Sequence, residues 1–194
     1  MGLQITGVVI LLAFYGCYAA KMAAQRRRGI RTDQLGRGKS GPARRVESAV
    51  KAATYGAVLV EAVSILLDTG SFPPPVRVLG AITGCIGTLV FILSVLTMQD
   101  SWRAGVPGED KTELVTRGIY RISRNPAFLG FDLVYLGIGV MFFNWALLAA
   151  SLFAAWMLHR QIVEVEEPFL AEAFGEAYLE YRGTVCRYLG RRRE

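Results

Sequence analysis

Apolar residues in this chain are concentrated in five long blocks, and most charged residues lie between the blocks. Such segregation is typical of a membrane protein with several helical spans, because a helix that crosses the hydrocarbon core needs roughly 20 mostly apolar residues. The pattern predicts spans at Leu3–Ala24, Ala49–Leu67, Val76–Met98, Phe128–Phe143 and Ala146–Val163.

The last two blocks are short and are separated only by Phe143-Asn144-Trp145, so we expect a tight hairpin of two helices. Beyond the fifth block, Pro168 removes a backbone donor and bends the chain. After this bend an acidic helix carries an apolar stripe, formed by Leu170, Phe174, Ala177, Tyr178 and Tyr181. We predict that this amphipathic helix lies on the cytosolic surface of the bundle and covers whatever opens there.

These elements predict an all-α fold: a multi-pass membrane helical bundle with about five transmembrane helices and a C-terminal cytosolic amphipathic helix. We expect one integral membrane domain over residues 1–194, with three spans in 1–98 and a long loop, the hairpin and the last helix in 99–194. Composition agrees, since 53% of the residues are hydrophobic and 20% are charged. No positive charge precedes the first block, so we expect a span there and not a cleaved signal peptide.

Positive charges divide the connections into two groups. They are frequent after the first block, after the third block and in the tail, as Arg26, Arg27, Arg28, Arg31, Arg37, Lys39, Arg44, Arg45, Arg103, Lys111, Arg117, Arg121, Arg124, Arg191, Arg192 and Arg193. The opposite side has only Arg77, so the positive-inside bias places the N-terminus outside and the C-terminus in the cytosol. The net charge of +6 then reflects topology and contact with membrane lipids. We expect no nucleic-acid partner, because stacking aromatics are not interleaved with the basic residues.

Metal-dependent and histidine-based chemistry has little support in this sequence. Cys17, Cys85 and Cys186 lack the spacing of a metal site or a redox pair, and His159 is the only histidine. No glycine-rich loop joins a strand to a helix, which excludes a Rossmann-type domain. The glycines inside the blocks have the small-residue spacing of close helix packing, at Gly80, Gly84, Gly87, Gly137 and Gly139.

Charged residues recur at helical spacing where the fifth block ends. Arg160, Glu164 and Glu167 are related as i, i+4 and i+7, which places them on one face of a continuous α-helix. On such a helix Glu166 faces the bundle, together with Ile162, Val163 and Leu170. The cluster is consistent with a solvated helix end or with carboxylates that serve a site.

Two groups of residues resemble the paired motifs of a known family. The first is Tyr120, Arg124-Asn125-Pro126-Ala127-Phe128 and Gly130, and the second is Glu166-Glu167, Leu170, Phe174-Gly175-Glu176, Tyr178 and Tyr181. They resemble the isoprenylcysteine carboxyl methyltransferases, integral membrane enzymes that use S-adenosylmethionine, and their phospholipid methyltransferase relatives. The resemblance covers about Thr112 to Arg187.

Carried over by position, the resemblance implies cofactor contacts at Thr112, Glu113, Leu114, Val115, Tyr120, Asn125, Pro126, Ala127, Phe128 and Glu166. Two positions depart from the family's pattern. Asn125 stands where the family has histidine, so it donates a hydrogen bond but cannot become cationic. The family's substrate-side arginine falls on Ile162, and Arg160 is the nearby replacement. We therefore take Arg160 and Glu167 as the candidate catalytic residues.

The resemblance implies a membrane enzyme that transfers the methyl group of S-adenosylmethionine to the α-carboxylate of a prenylated cysteine or a similar lipophilic acid. The acceptor would enter from the bilayer, and S-adenosylhomocysteine would leave to the cytosol. Three alternatives stay open: methylation of phosphatidylethanolamine or another lipid amine, an NADPH-dependent membrane reductase, and a non-catalytic membrane assembly protein. An amine acceptor must lose a proton, so that alternative predicts an essential base.

Overall fold

A computed structural model describes residues 1–36, 40–106 and 113–192. In these residues the chain forms six α-helices and no β-strand: α1 (Gly2–Arg27), α2 (Gly41–Leu66), α3 (Pro74–Met98), α4 (Pro126–Met141), α5 (Trp145–Gln161) and α6 (Glu167–Thr184). Short 3₁₀ turns lie at Gln99–Ser101 and Gly118–Arg121, and a π-helical turn spans Ile162–Glu166. A proline lies in the first turn of α2, α3 and α4, where its missing N–H is not needed.

The all-helical membrane bundle predicted from the apolar blocks is confirmed. Four helical stretches are long and apolar enough to cross a membrane: Gly2–Arg27, Gly41–Leu66, Pro74–Ser101 and Trp145–Thr184. The remaining apolar helix, α4, has 16 residues and a length of roughly 24 Å, shorter than a hydrocarbon core of about 30 Å. Large apolar side chains cover the outside of the bundle, as a lipid-facing surface requires; Leu59, for example, is 67% exposed.

Helices α3 and α4 pack backbone against backbone through glycines. A Cβ added to Gly137 would lie 2.5 Å from the backbone nitrogen of Gly84, and one added to Gly87 would lie 2.8 Å from the carbonyl oxygen of Gly130. The predicted packing role is therefore confirmed for Gly80, Gly84, Gly87 and Gly137. It is wrong for Gly139, where no described atom lies within 4 Å of an added Cβ.

The predicted tight hairpin is present between α4 and α5. Asn144 caps α5, because its side chain accepts a hydrogen bond from the backbone N–H of Leu147 at 2.9 Å. Its amide also donates to Ser64 Oγ at 2.8 Å and to Thr69 Oγ1 at 3.0 Å. Asn144 thus joins the hairpin to the end of α2, far from the motif residues.

The π-helical turn corrects the helix phase that the sequence suggested. The chain winds more slowly through Ile162–Glu166 than in an α-helix, so residues beyond this turn are rotated relative to those before it. Arg160 and Glu164 remain on an exposed face, but Glu167 is only 5% exposed and lies in the interior. The prediction that these three residues share one face is wrong. Val163, expected inside, is exposed.

The connection after α3 is held against the chain that follows α1. The Gln25 side chain donates to the carbonyl oxygen of Trp102 at 3.0 Å, and the backbone N–H of Gln34 donates to the carbonyl oxygen of Ala104 at 2.8 Å. Glu47, fully buried at the start of α2, accepts from the N–H of Gly36 at 2.8 Å and from the N–H of Val106 at 3.4 Å. These bonds fix residues 102–106 as a wall at the end of the bundle where α1 and α5 end.

Candidate active site

The residues of the two sequence motifs meet at a cavity that we call the motif cavity. It lies between residues 98–106, residues 113–115, the beginning of α4 and the inner face of α6, and holds about 890 Å³ of empty space including its mouth. Of the predicted cofactor-binding residues, the lining includes Glu113, Leu114, Val115, Tyr120, Asn125, Ala127, Phe128 and Glu166. Pro126 begins α4 but is not among the described lining residues, and Thr112 lies outside the described residues.

A second cavity, which we call the lateral cavity, adjoins the motif cavity and holds about 1140 Å³. Side chains of α1, α2, α3, α4 and α5 line it, among them Tyr15, Tyr18, Thr54, Phe91, Phe131, Leu158 and Gln161. Met22 on α1 and Tyr55 on α2 also line it and are 38% and 60% exposed, so the cavity reaches the lateral surface of the bundle between these helices.

The two cavities share a wall. The residues that line both are Trp102, Arg103, Gly105, Ala127, Phe128 and Glu166. Trp102 is 4% exposed and packs edge-on against Phe91, with ring centroids 6.0 Å apart. The shared wall therefore offers a rigid aromatic surface, one carboxylate and one guanidinium at the boundary between the two spaces.

Hydrogen bonds hold α6 and the segment after it against the first motif. The Tyr181 hydroxyl donates to the carbonyl oxygen of Tyr120 at 2.6 Å, and the Tyr120 hydroxyl lies 2.8 Å from Ser94 Oγ. Burial raises the pKa of Tyr120, so its hydroxyl stays protonated. The Asn125 side chain donates to the carbonyl oxygen of Arg187 at 3.1 Å. The two motifs, some forty residues apart in sequence, thus form one rigid floor for the motif cavity.

Arg124 is a buried structural cation in this floor. It is 8% exposed, and its guanidinium donates to the Tyr178 hydroxyl at 2.8 Å and to the carbonyl oxygen of Val185 at 3.1 Å. Its Nη1 also lies 3.1 Å from Glu167 Oε1. Although Arg124 lines the motif cavity, protein groups already bind its Nε and Nη1.

Glu167 has a different position from the one predicted. It is not among the described residues that line either cavity, and its carboxylate is paired with Arg187 and Arg124. Burial alone would raise its pKa, but the hydrogen bond from Arg187 and the nearby positive charges outweigh burial and lower the pKa. The π-helical turn explains this change from surface to interior.

Arg160 is also outside the described lining of both cavities. Its guanidinium donates to both carboxylate oxygens of Glu164, at 2.6 and 2.8 Å, and lies 5.3 Å from the centre of the Trp156 ring. All three side chains lie on the outer surface of α5 and the π-helical turn. The sequence-based choice of Arg160 as the cation for an acceptor carboxylate therefore has no geometric support.

The sequence did not single out Arg103, the cation of the shared wall. Its guanidinium donates to backbone carbonyl oxygens of Asp100 and Trp102, which hold it beside the end of α3. A weak signal was available, because Trp102-Arg103 directly follows an apolar span at the end of the bundle that carries the motifs. The position of α1 and α2 opposite Trp102 and Arg103 could not be predicted from the local sequence.

Comparison with known proteins agrees with the motifs. The sequence model of the family described as phospholipid methyltransferase matches residues 76–177. Protein-S-isoprenylcysteine O-methyltransferase A of Arabidopsis thaliana is 32% identical over 109 residues, which cover 55% of this chain and 55% of that protein. Protein-S-isoprenylcysteine O-methyltransferase of Saccharomyces cerevisiae is 29% identical over 110 residues, covering 56% of this chain and 46% of that protein.

The chain spans about half the length of the curated relatives it matches. The matched region nevertheless includes nearly all of α3, all of α4 and α5 and most of α6, and with them the first motif and the second motif as far as Glu176. Since the family model covers more than half of the 194 residues, the chain belongs to the phospholipid methyltransferase family.

Proposed function

We propose that this protein transfers a methyl group from S-adenosylmethionine to the α-carboxylate of a prenylated cysteine or a similar lipophilic acid. The observation that carries the proposal is the shared wall of Phe128, Arg103 and Glu166 between two adjoining cavities. The motif cavity is lined by the residues of both motifs, whereas the lateral cavity reaches the lipid-facing surface between α1 and α2. This arrangement suits a water-borne donor on one side and a membrane-borne acceptor on the other.

The lining of the motif cavity fits S-adenosylmethionine chemically. Carboxylates of Glu113 and Glu166 suit its ammonium group or a ribose hydroxyl, and Phe128 and Phe174 provide apolar surface for adenine. Leu114 and Val115 belong to the same lining, and their backbone groups would suit hydrogen bonding to the base. When bound, S-adenosylmethionine would supply a methyl group on a sulfonium, a good leaving group that an anionic carboxylate oxygen can displace to give a methyl ester and S-adenosylhomocysteine.

A carboxylate acceptor is already anionic at neutral pH, so this reaction needs no general base. The protein must instead hold the acceptor in line and exclude water. Arg103 is the guanidinium that lines both cavities, and an arginine can hold a carboxylate with two parallel hydrogen bonds. We assign Arg103, in place of Arg160, as the group that positions the acceptor carboxylate.

We further propose that the motif cavity faces the cytosol and that α4 serves as a short fifth span. The connections at this end of the bundle carry most of the arginines and lysines, whereas the connection between α2 and α3 carries none and Arg77 lies in the first turn of α3. In this topology α6 lies at the cytosolic surface of the membrane. Single cysteines labelled with a membrane-impermeant maleimide test it: position 34 should react from the cytosolic side and position 144 from the opposite side. Reaction of position 144 from the cytosol would contradict the fifth span.

Methylation of a lipid amine is the second candidate, because the matching family model is that of phospholipid methyltransferases. Purified protein in lipid nanodiscs and radiolabelled S-adenosylmethionine distinguish the two. We expect label in N-acetyl-S-farnesylcysteine and none above background in phosphatidylethanolamine. S-adenosylhomocysteine should raise the melting temperature of the protein, and NADPH should not. Label in phosphatidylethanolamine alone would favour the amine acceptor, and a shift with NADPH alone would favour a reductase.

A further inference from the structure

An open hollow beside α6 carries two arginines, and we call it the arginine hollow. Arg121 lines it from the end of the 3₁₀ turn before α4, and Arg191 lines it from the segment after α6. The hollow holds about 940 Å³ of empty space including its mouth. Leu114 and Tyr181 line both this hollow and the motif cavity, so the two spaces adjoin.

The charges of the arginine hollow suit an anion. The side chains of Arg121 and Arg191 are exposed, and neither forms a hydrogen bond or an ion pair with any residue that the structure describes. Glu180 contributes one carboxylate to the lining and Thr116 one hydroxyl. Two guanidinium groups thus face one carboxylate. Guanidinium groups bind phosphate oxygens with parallel hydrogen bonds, so a phosphate group fits this hollow.

A tight turn after α6 brings exposed apolar side chains next to both arginines. The N–H of Cys186 donates to the carbonyl oxygen of Gly190 at 2.9 Å, and the N–H of Gly190 donates to the carbonyl oxygen of Ile122 at 2.7 Å. Leu189 is 68% exposed, and Ile122 is 48% exposed. A free anion in water gains nothing from these side chains. Exposed apolar residues beside cations are the combination that binds an anionic membrane surface.

Contacts with α5 place this turn at the level of the membrane boundary. The Tyr188 hydroxyl lies 2.8 Å from His159 Nδ1, and the two rings stack with centroids 6.0 Å apart. His159 lies two residues before the end of α5, in a stretch apolar enough to cross a membrane. Trp156, one turn earlier, is 52% exposed, and tryptophan is enriched where hydrocarbon meets water. The turn therefore lies at the level of the lipid headgroups.

We propose that the arginine hollow binds the phosphate of an anionic phospholipid from the surrounding leaflet, with Leu189 and Ile122 in contact with the upper part of its acyl chains. In the proposed topology the hollow faces the cytosolic leaflet, whose surface potential is negative. The bound lipid attaches α6 and the following turn to the membrane surface. Because Leu114 and Tyr181 belong to both spaces, this attachment also supports the wall of the motif cavity.

Lipid retention by the purified full chain tests the site without any methyl transfer. Native mass spectrometry of protein from neutral micelles with equal amounts of phosphatidylglycerol and phosphatidylcholine counts the lipids that stay bound. Wild-type protein should prefer phosphatidylglycerol at least about tenfold, and Arg121→Gln/Arg191→Gln should lower this preference to within about twofold. Its melting temperature in phosphatidylcholine should match wild type, since both side chains are exposed. Arg121→Lys/Arg191→Lys keeps both charges and should keep most of the preference.

Arg117→Gln/Arg192→Gln is the matched control, because it removes two exposed arginines of the same region that are not among the described residues lining the hollow. It should keep the wild-type preference. Equal loss in the two glutamine variants would assign the binding to diffuse surface charge and overturn the site, as would equal retention of both lipids by wild type. Excess inorganic phosphate should leave phosphatidylglycerol bound. Complete displacement by phosphate would mark the hollow as a site for a free anion and overturn the lipid assignment.

Discussion

Arg187 donates two hydrogen bonds to Glu167, from Nε to Oε1 at 2.8 Å and from Nη2 to Oε2 at 2.9 Å. Arg124 approaches the same carboxylate at 3.1 Å, so one acid joins the chain before α4, the start of α6 and the segment after α6. Only 6% of the Glu167 side chain is exposed. Glu167 is not among the described residues that line the motif cavity. The pair therefore stabilises the floor of this cavity from the side that faces away from the cavity.

Removing this carboxylate should destabilise the protein. Glu167→Gln leaves Arg124 buried without its anion, and breaking a buried pair in this way costs about 3–5 kcal/mol. Thermal unfolding followed by circular dichroism in detergent should show a clear drop in melting temperature. Glu164→Gln is the control, because its pair with Arg160 is exposed, and it should leave the melting temperature unchanged. Equal melting temperatures for the two variants would contradict the assigned role of Glu167.

The same network predicts how stability depends on pH. The pKa of Glu167 is lowered in the folded protein, whereas an unfolded glutamate titrates near about 4.3. Its contribution is therefore complete above about pH 4.3 and is lost as pH falls through the lower folded value. The difference in melting temperature between wild type and Glu167→Gln should be constant from pH 7 to pH 5 and should shrink below about pH 4. A difference that persists unchanged at pH 3 would exclude this linkage.

Glu164 and Glu166 lie two residues apart within the π-helical turn, but their side chains have different surroundings. Glu166 lines both cavities, and Glu164 is on the outer surface paired with Arg160. If Glu166 contacts a cationic or hydroxyl group of the cofactor, Glu166→Gln should weaken that contact by about 2 kcal/mol or more. Calorimetric titration with S-adenosylhomocysteine should then show at least a roughly thirtyfold higher Kd. Glu164→Gln should bind like wild type. Similar, small changes in both variants would remove Glu166 from the cofactor site.

Much of the fold was predictable because it depends on local composition. Apolar blocks located all five apolar helices, and Phe143-Asn144-Trp145 located the hairpin, since each signal lies within the segment it forms. The motif residues were predictable as a group for the same reason. Eight of the predicted cofactor positions line the motif cavity.

The errors come from geometry that local sequence does not determine. Pro168 signals a missing backbone donor, but a chain can respond by bending or by widening one turn, and here it widens ahead of the proline. That choice moved Glu167 inward and left Arg160 outside. The lateral cavity was missed because α1 and α2, which lie well before both motifs in the sequence, form one side of it. Spatial neighbours at that separation are set by tertiary packing.

The close contact between α3 and α4 gives a testable prediction at Gly137, and Gly139, two residues later on α4, provides the control. A methyl group at position 137 would lie 2.5 Å from the Gly84 nitrogen and 2.7 Å from the Gly80 carbonyl oxygen. Gly137→Ala should force the two helices apart and cost about 1–3 kcal/mol or more. Gly139→Ala meets open space and should stabilise the helix slightly, by up to about 1 kcal/mol. Melting temperatures in the same detergent measure both. An unchanged melting temperature in Gly137→Ala would mean that α3 and α4 are farther apart than described.

The proposed reaction needs a cation that holds the acceptor carboxylate, and the positions of the two candidate arginines favour Arg103 over Arg160. Arg103 lines both cavities, whereas Arg160 is bound to Glu164 on the outer surface. Loss of a buried charge contact costs about 2 kcal/mol or more, so Arg103→Gln should reduce kcat/KM for N-acetyl-S-farnesylcysteine at least about thirtyfold. Arg160→Gln should retain wild-type kcat/KM.

The binding of S-adenosylhomocysteine shows whether the loss of kcat/KM in Arg103→Gln comes from a contact with the acceptor or from a contact with the cofactor. The shared wall also borders the motif cavity, so cofactor binding is measured in both variants by the same calorimetric titration. If Arg103 holds the acceptor carboxylate, the Kd for S-adenosylhomocysteine should stay within about threefold of wild type while turnover falls, because an acceptor contact contributes nothing to the donor complex. A Kd that rises in parallel with the loss of turnover would place Arg103 on the cofactor. Loss of turnover in Arg160→Gln instead would restore the arginine that the sequence suggested.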